Sequence, residues 1–499
     1  MIFAAGIVVV GGVLLIQKFK ARRQISGQGH AARGEALAPI PATDLPVSAA
    51  RPTPFLAFER VPVEQHLLLS GGALGLRIIS IAGVPFAGPF SIASLLYLDL
   101  YFLHRAYVEW KTEGVSGVTD AVVATGLLMT RQFGADALFA TTFFISRKLT
   151  KDTKATLVQR LSDSTLLARQ PTQSAPSSTP EIFAEETAFA LTKAGLEATP
   201  KQMMWQTLIQ RGAVPFLTLS TLSLPFLGVK RSLAVLLTNF GYDYRVTAPL
   251  STLTHMDLAA QHDIVIGDWH AFEKLSQVDV VVLDEQFFSH AITTQNGSEV
   301  DDPVLAHLPL LQQLQQAGKR EWVLIRKAPM MPESAPLLLN ITTIAPHEAP
   351  ALLKQLHATK RTVCLVRGEV DLVMDSGAAD SAEAAVVVTM RDPQTILTSP
   401  AQLAHAKAQI GLSTGNPEQL LTLFQLADHL ALTLKRGLAL TLVPSMISLG
   451  GIYLFHFGPL SALLLDSTAL AAGVVNAKWA HLSSQPMSSP LREMNAATD

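Results

Sequence analysis

VDVVVLDEQFFSH, residues 278–290, is the stretch on which the fold of this chain turns. An unbroken apolar run from Val280 to Leu283 ends in Asp284, and acidic, polar and aromatic residues follow. A strand buried on both faces reads as such a run rather than as an alternation. The run therefore predicts a buried strand that delivers one carboxylate to the edge of a sheet. Asp284 is then either a reacting group or the remainder of a site that once held one.

The surrounding chain repeats the pattern. DIVIG, EWVLIRK, RTVCLVRG and AAVVVTMR are further short runs rich in Val and Ile. PVLAHLPLLQQLQQAG and PHEAPALLKQLHAT place apolar residues at helical spacing between them. Strands that alternate with helices predict a doubly wound α/β domain with a mostly parallel sheet, over residues 251–430.

The rest of the chain is more apolar than a water-soluble protein. Of its 499 residues 49% are hydrophobic and 16% charged, where about a quarter charged is usual. Mean hydropathy is +0.31. The net charge of -2 and the lack of a basic, aromatic-interleaved patch exclude a nucleic-acid partner. The single cysteine, Cys364, sits in the apolar run TVCLV and reads as core, so neither a disulfide nor a Cys-x-x-Cys metal pair is available.

Apolar segments suggest nine membrane crossings, interrupted by the α/β domain. Residues 1–17 read as an N-terminal membrane anchor, because the basic residues Lys18, Lys20, Arg22 and Arg23 follow the apolar part instead of preceding it. Residues 18–63 form a flexible linker and 64–150 a first group of transmembrane helices. Residues 151–208 are a short linker, 209–250 a transmembrane hairpin, 431–480 a C-terminal hairpin and 481–499 a cytoplasmic tail. Clusters of Lys and Arg at 104–111 and 146–154 place the α/β domain in the cytoplasm by the positive-inside rule.

This order resembles the heavy-metal-transporting P-type ATPases. In that family a haloacid-dehalogenase-like domain is inserted among the membrane helices. The family runs from a CPC…P membrane motif to VD-VVFDKTGT. Here the matching stretch is FGYDYRVTAPLSTLTHMDLAAQHDIVIGDWHAFEKLSQVDVVVLDEQFFSH, with Pro249 at the last proline and Asp284 at the phosphorylated aspartate. The resemblance covers roughly residues 64–480. It implies P-type transmembrane helices with an inserted doubly wound domain. The short intervals after Asp284 and between 147 and 211 imply that a separate nucleotide-binding domain and a full actuator domain are lacking. On this view residues 151–208 are an actuator remnant.

Position by position the family signature is exchanged. Glu285, Gln286, Phe287 and Phe288 follow Asp284 in place of KTGT, and Glu285 would repel a phosphate. LIRKAP (324–329) replaces TGD without an acid, and Ala349 replaces the family lysine. Gly368 and Leu372 stand at the two magnesium-ligand positions. Gln286 cannot serve as the general acid and base of a related phosphatase. In the membrane, Phe240 and Tyr242 take the places of the metal-binding cysteines and offer no soft ligand. Neither is expected to bind metal.

Ionisable residues in apolar segments are costly and functional by default. Arg77, Asp243, Arg245 and Asp466 stand out on that ground. They line an ion or proton path, or pair as Asp243–Arg245 and Arg77–Asp466 to hold helices together. His255 and His262 read as solvated or capping groups.

The expectation from these residues is a catalytically inactive relative, not an enzyme, with Asp284 vestigial and no cofactor. Its role would be structural, scaffolding or regulatory within a membrane assembly linked to metal handling. Its partners would be the lipid membrane and other integral membrane proteins, in a homo- or hetero-oligomer of a bacterial inner membrane. The alternative is a diverged cation-translocating ATPase that still uses Asp284 as phosphoryl acceptor, with ATP and magnesium.

Overall fold

The computed structural model describes residues 61–111, 116–163, 204–238, 241–288, 304, 307–317, 320–326, 341–367, 386–391, 410–413 and 418–483. The expected anchor at 1–17 and most of the expected linkers lie outside these residues, as do Phe240, Gly368 and Leu372. The chain divides into two compact units. One comprises Met1–Thr150, Met204–Thr247 and Gly437–Val474, and the other Lys151–Met203, Ala248–Arg436 and Val475–Asp499.

The helices are α1 (Val63–Ile81), α2 (Ala87–Lys111), α3 (Ser116–Met129), α4 (Phe133–Asp163), α5 (Met204–Leu237) and α6 (Gly241–Gln261). After β1 (Ile264–Ile266) come α7 (Trp269–Leu275), β2 (Val280–Asp284), α8 (Leu308–Ala317), β3 (Glu321–Ile325) and β4 (Ile341–Ile344). The chain continues through α9 (Ala349–Ala358), β5 (Val363–Arg367), β6 (Val386–Arg391) and β7 (Ile410–Ser413) into the long α10 (Glu418–Leu454) and α11 (Pro459–Ser483).

Among the described residues three helical stretches are long and apolar enough to cross a membrane: Pro215–Leu237, Glu418–Leu454 and Pro459–His481. Gly117–Met129 is apolar and shorter. The transmembrane hairpin expected at 209–250 has a break inside α5. Helical assignment runs on to Leu237, and the backbone departs from helix at Gly228, at φ 76° and ψ 167°. Only glycine adopts that conformation without strain, and Pro225 just before it removes a helical hydrogen bond.

The bundle core is built where small residues let helices meet. Ala73, Ala121, Ala124, Ala137, Ala140 and Ala234 are buried among Leu95, Leu98, Phe102, Phe139 and Phe144. A Cβ on Gly126 of α3 would lie 2.6 Å from Leu233 of α5, the close approach that small residues permit between membrane helices. Large apolar side chains also point outward, among them Leu68, Phe86, Phe90 and Phe226, all more than two-thirds exposed.

The sheet has seven strands in the order β1-β7-β6-β5-β2-β3-β4, all parallel except for the β1–β7 pair. β2 lies inside it, between β5 and β3. Val281 and Leu283 bury into one core cluster with Cys364 and Val366. Val280 and Val282 bury into another with Val363 and Leu365. Both faces of β2 are therefore covered, which is why its sequence is apolar at every position. Trp269 and Phe272 are buried on α7. Asp268 caps that helix by accepting from the His270 N–H at 2.9 Å.

Candidate functional site

Two places collect chemistry, one in each unit. The first is the carboxyl edge of the sheet. The chain leaves β2 for β3 on one side and later enters β5 on the other, so the strand order reverses there. Such a switch point is where ligands bind in open α/β sheets. Asp284 ends β2, and its Oδ1 accepts the Gln286 N–H at 3.1 Å. Phe287 and Phe288 are fully buried, meet edge to face at 5.3 Å, and anchor the turn in the core. Their presence in place of threonine thus has a packing cause.

Arginine ends both neighbouring strands. Leu283 pairs in register with Val366, which sets Arg367 level with Asp284. Arg326 follows Ile325, the partner of Asp284 on β3. Its side chain is 6% exposed, and its Nε lies 3.4 Å from Glu285 Oε1. The negative charge that seemed to repel phosphate thus has a buried guanidinium beside it. Reading LIRKAP for its missing acid overlooked this basic residue. The signal was available in that three short apolar runs end in Asp, Arg and Arg.

Magnesium, which the resemblance implies, does not fit the described part of this edge. Asp284 already accepts a backbone N–H, and Glu285 faces Arg326. Among the described residues no three His, Cys, Asp or Glu side chains converge to hold a metal.

The second place is the helix bundle. Asp243 on α6 is fully buried, Asp466 on α11 is 6% exposed, and the two carboxylates interact electrostatically. No donor among the described residues reaches either oxygen of Asp243 or Oδ1 of Asp466. Two bare carboxylates repel strongly in an apolar surround, so a proton or a metal cation accompanies the pair. Gly473 brings the helices that close: a Cβ there would stand 2.6 Å from Thr247 Cγ2 of α6.

Beside the pair is a cavity of about 20 Å³, bordered by Asp466, Asp120, Thr119 and an apolar wall that includes Val123 and Phe139. That is room for one water molecule. Asp120 on α3, 1% exposed, accepts from Arg245 Nη2 through both oxygens at 3.1 Å and from Arg105 Nη1 at 3.1 Å.

The pairings expected from the sequence are not the observed ones. Asp243 and Arg245 are two residues apart on one helix, so they point to different sides, and Arg245 reaches Asp120 instead. Arg77 lies 5.6 Å over the Phe133 ring. The sequence argument missed Asp120, Asp99 and Asp136. Each sits in an apolar segment and meets the criterion that selected Asp243 and Asp466. Tyr242 lies in α6.

His255 also departs from expectation. It is fully buried, with Nδ1 2.8 Å from Ser251 O and Nε2 3.0 Å from His429 Nδ1. Its partner lies far along the chain on α10, where no local pattern signals it.

No protein-family model matches the sequence, and no curated protein does. Among solved structures, one of a zinc-transporting PIB-type ATPase aligns with a TM-score of 0.51 at 13% identity, over 83% of this chain and 98% of that one. A second, of a zinc-transporting PIB-type ATPase in the E2·Pi state, aligns with a TM-score of 0.48 at 13% identity, over 84% and 99%. The fold is that of a P-type ATPase. With its apolar helices, the chain is an integral membrane protein.

The same likeness corrects the expectation that the chain is not an enzyme. The fold it shares is that of a transporting ATPase, which is an enzyme. The exchanged motif residues do not remove the acceptor carboxylate. Asp284 still ends a central parallel strand at the switch point, with guanidinium-bearing residues at both neighbouring strand ends.

Proposed function

We propose that this protein is a P-type-ATPase-like transporter that binds a divalent cation through oxygen ligands in its helix bundle, with Asp284 as the phosphoryl acceptor. The observation that carries the proposal is the pair of interacting carboxylates Asp243 and Asp466, buried without a donor among the described residues, with Asp466 on a water-sized cavity that Asp120 and Thr119 also border. Two carboxylates, a hydroxyl and water make an open, partly hydrated site. Oxygen donors of this kind suit hard or borderline divalent cations. Zinc accepts carboxylate oxygen, and zinc is the cargo named for the ATPase that shares this fold. Soft monovalent copper is disfavoured, because the only cysteine, Cys364, is buried in β5.

An open site also suits transport, since binding must be weak enough to allow release. At the sheet edge, Arg326 and Arg367 offer the positive charge that phosphoryl transfer requires. The basic clusters of the sequence favour a cytoplasmic α/β unit.

The test takes the purified protein in lipid nanodiscs and measures bound Zn²⁺ and Mn²⁺ by mass spectrometry of the metal. Stoichiometric binding that Asp243→Asn or Asp466→Asn abolishes is the expected result. In proteoliposomes, ATP-dependent uptake should vanish in Asp284→Asn. Metal binding that is absent, or indifferent to both membrane substitutions, refutes the cation site. Uptake without dependence on Asp284 refutes the drive.

A further inference from the structure

A second pair of buried carboxylates takes no part in that site. Asp99 on α2 is 4% exposed, and Asp136 on α4 is fully buried. Contacts along the two helices set their level. The Phe102 and Phe139 ring centroids are 5.5 Å apart, and Arg105 Cζ lies 5.0 Å over the Phe143 ring. With Tyr101 against Phe144 at 5.3 Å, these contacts pack α2 against α4. Asp99 and Asp136 each lie three residues, about one helical turn, from the Phe102–Phe139 contact and on the same side of their helices as it. The two carboxylates interact electrostatically.

Neither oxygen of Asp136, nor Oδ2 of Asp99, has a hydrogen-bond partner among the described residues. The nearby basic groups are engaged elsewhere. Arg77 of α1 lies over Phe133, one turn before Asp136, and Arg105 of α2 pairs with Asp120, the acid of α3. The surrounding cluster contains Leu95, Leu98, Phe102 and Phe139.

Buried charge without a partner is prohibitively costly, so a cation must accompany the pair. A divalent metal needs about four or more ligand atoms, and the side chains clustered around this pair are apolar. A proton needs one oxygen to hold it and one to face it. We propose that Asp99 and Asp136 form a proton-binding site in the helix bundle, separate from the divalent-cation site at Asp243 and Asp466.

The full chain in nanodiscs is treated with a hydrophobic carbodiimide, which adds to carboxylic acids that carry a proton in an apolar setting. Peptide mass spectrometry then locates the adduct. It is expected on Asp99 or Asp136, lost in Asp136→Asn, and retained in Asp243→Asn and Asp466→Asn. The wild-type result needs no variant to fold. As a second readout, a carboxylic-acid C=O infrared band should disappear in Asp99→Asn or Asp136→Asn. No adduct at either residue in the wild type overturns the proposal. So does an adduct that Zn²⁺ or Mn²⁺ suppresses, which would make the pair a metal site.

Discussion

Replacing Asp120 with Asn tests whether the bundle is organised around this one buried charge. Asp120 is 1% exposed and receives Arg105 from α2 and Arg245 from α6, so it ties α3 to two other helices. Asparagine keeps the shape and removes the charge, leaving two guanidiniums against a neutral amide. Removing one partner of a buried ion pair costs about 3–5 kcal/mol. The side chains of Arg105 and Arg245 keep 18% and 19% exposure, so water offsets part of the loss. The expected cost therefore lies near the low end, about 3 kcal/mol, or about two powers of ten in the folding equilibrium. Denaturant titration in detergent micelles, followed by circular dichroism, reads it. The double variant Asp120→Asn, Arg245→Gln should recover part of the loss, with a coupling of about 0.5–3 kcal/mol. A single-variant cost under about 1 kcal/mol, or strictly additive losses in the double variant, would refute the view that this charge organises the helices.

Four further outcomes follow from other positions in the molecule. Gly473→Val places side-chain atoms against Thr247 and should cost about 1–3 kcal/mol and weaken Zn²⁺ binding at Asp243 and Asp466. Gly450→Ala, with open space around the new Cβ in α10, should raise stability by up to about 1 kcal/mol and leave titrated affinity unchanged. Burial, with Asp268 nearby as the smaller cause, pushes the Glu273 carboxyl up to about 7. The fold therefore holds this proton more tightly than the unfolded chain does, and stability is lost as pH rises from the ordinary glutamate value of about 4.3 toward 7. Glu273→Gln should flatten that part of the pH–stability curve and stabilise the protein at pH 7 and above. Burial likewise pushes the Cys364 thiol up to about 12, so in mild alkali the unfolded chain releases this proton first and stability falls as pH rises. Thiol alkylation at pH 8 should be absent in the native protein and appear only with unfolding, while Cys364→Val should cost less than about 1.5 kcal/mol.

What could be read directly was set by burial and chain-local geometry. The run Val280–Leu283 announces a strand covered on both faces, because each face of β2 meets its own core cluster. Its position as a central strand with Asp284 at the carboxyl end follows from the alternation of strands and helices around it. Asp243 and Asp466 were conspicuous because an acid in an apolar segment has no local excuse. Asp99, Asp120 and Asp136 carried the same signal.

The partners lay beyond such a reading. Asp243 meets Asp466 and Arg245 meets Asp120 because the rotation and level of α3, α6 and α11 decide which side chains face one another. That rotation is set by close contacts such as Gly473 against Thr247. The guanidinium of Arg326 stands beside Glu285 because β2 and β3 are adjacent and in register, which turned an apparent repulsion into a neutral pair. By itself the sequence determined the strand, its terminal carboxylate and the presence of charges in apolar helices, since these depend on residue type and period alone. Only the tertiary structure decided which charges meet, since that depends on helix rotation and strand order across long stretches of chain.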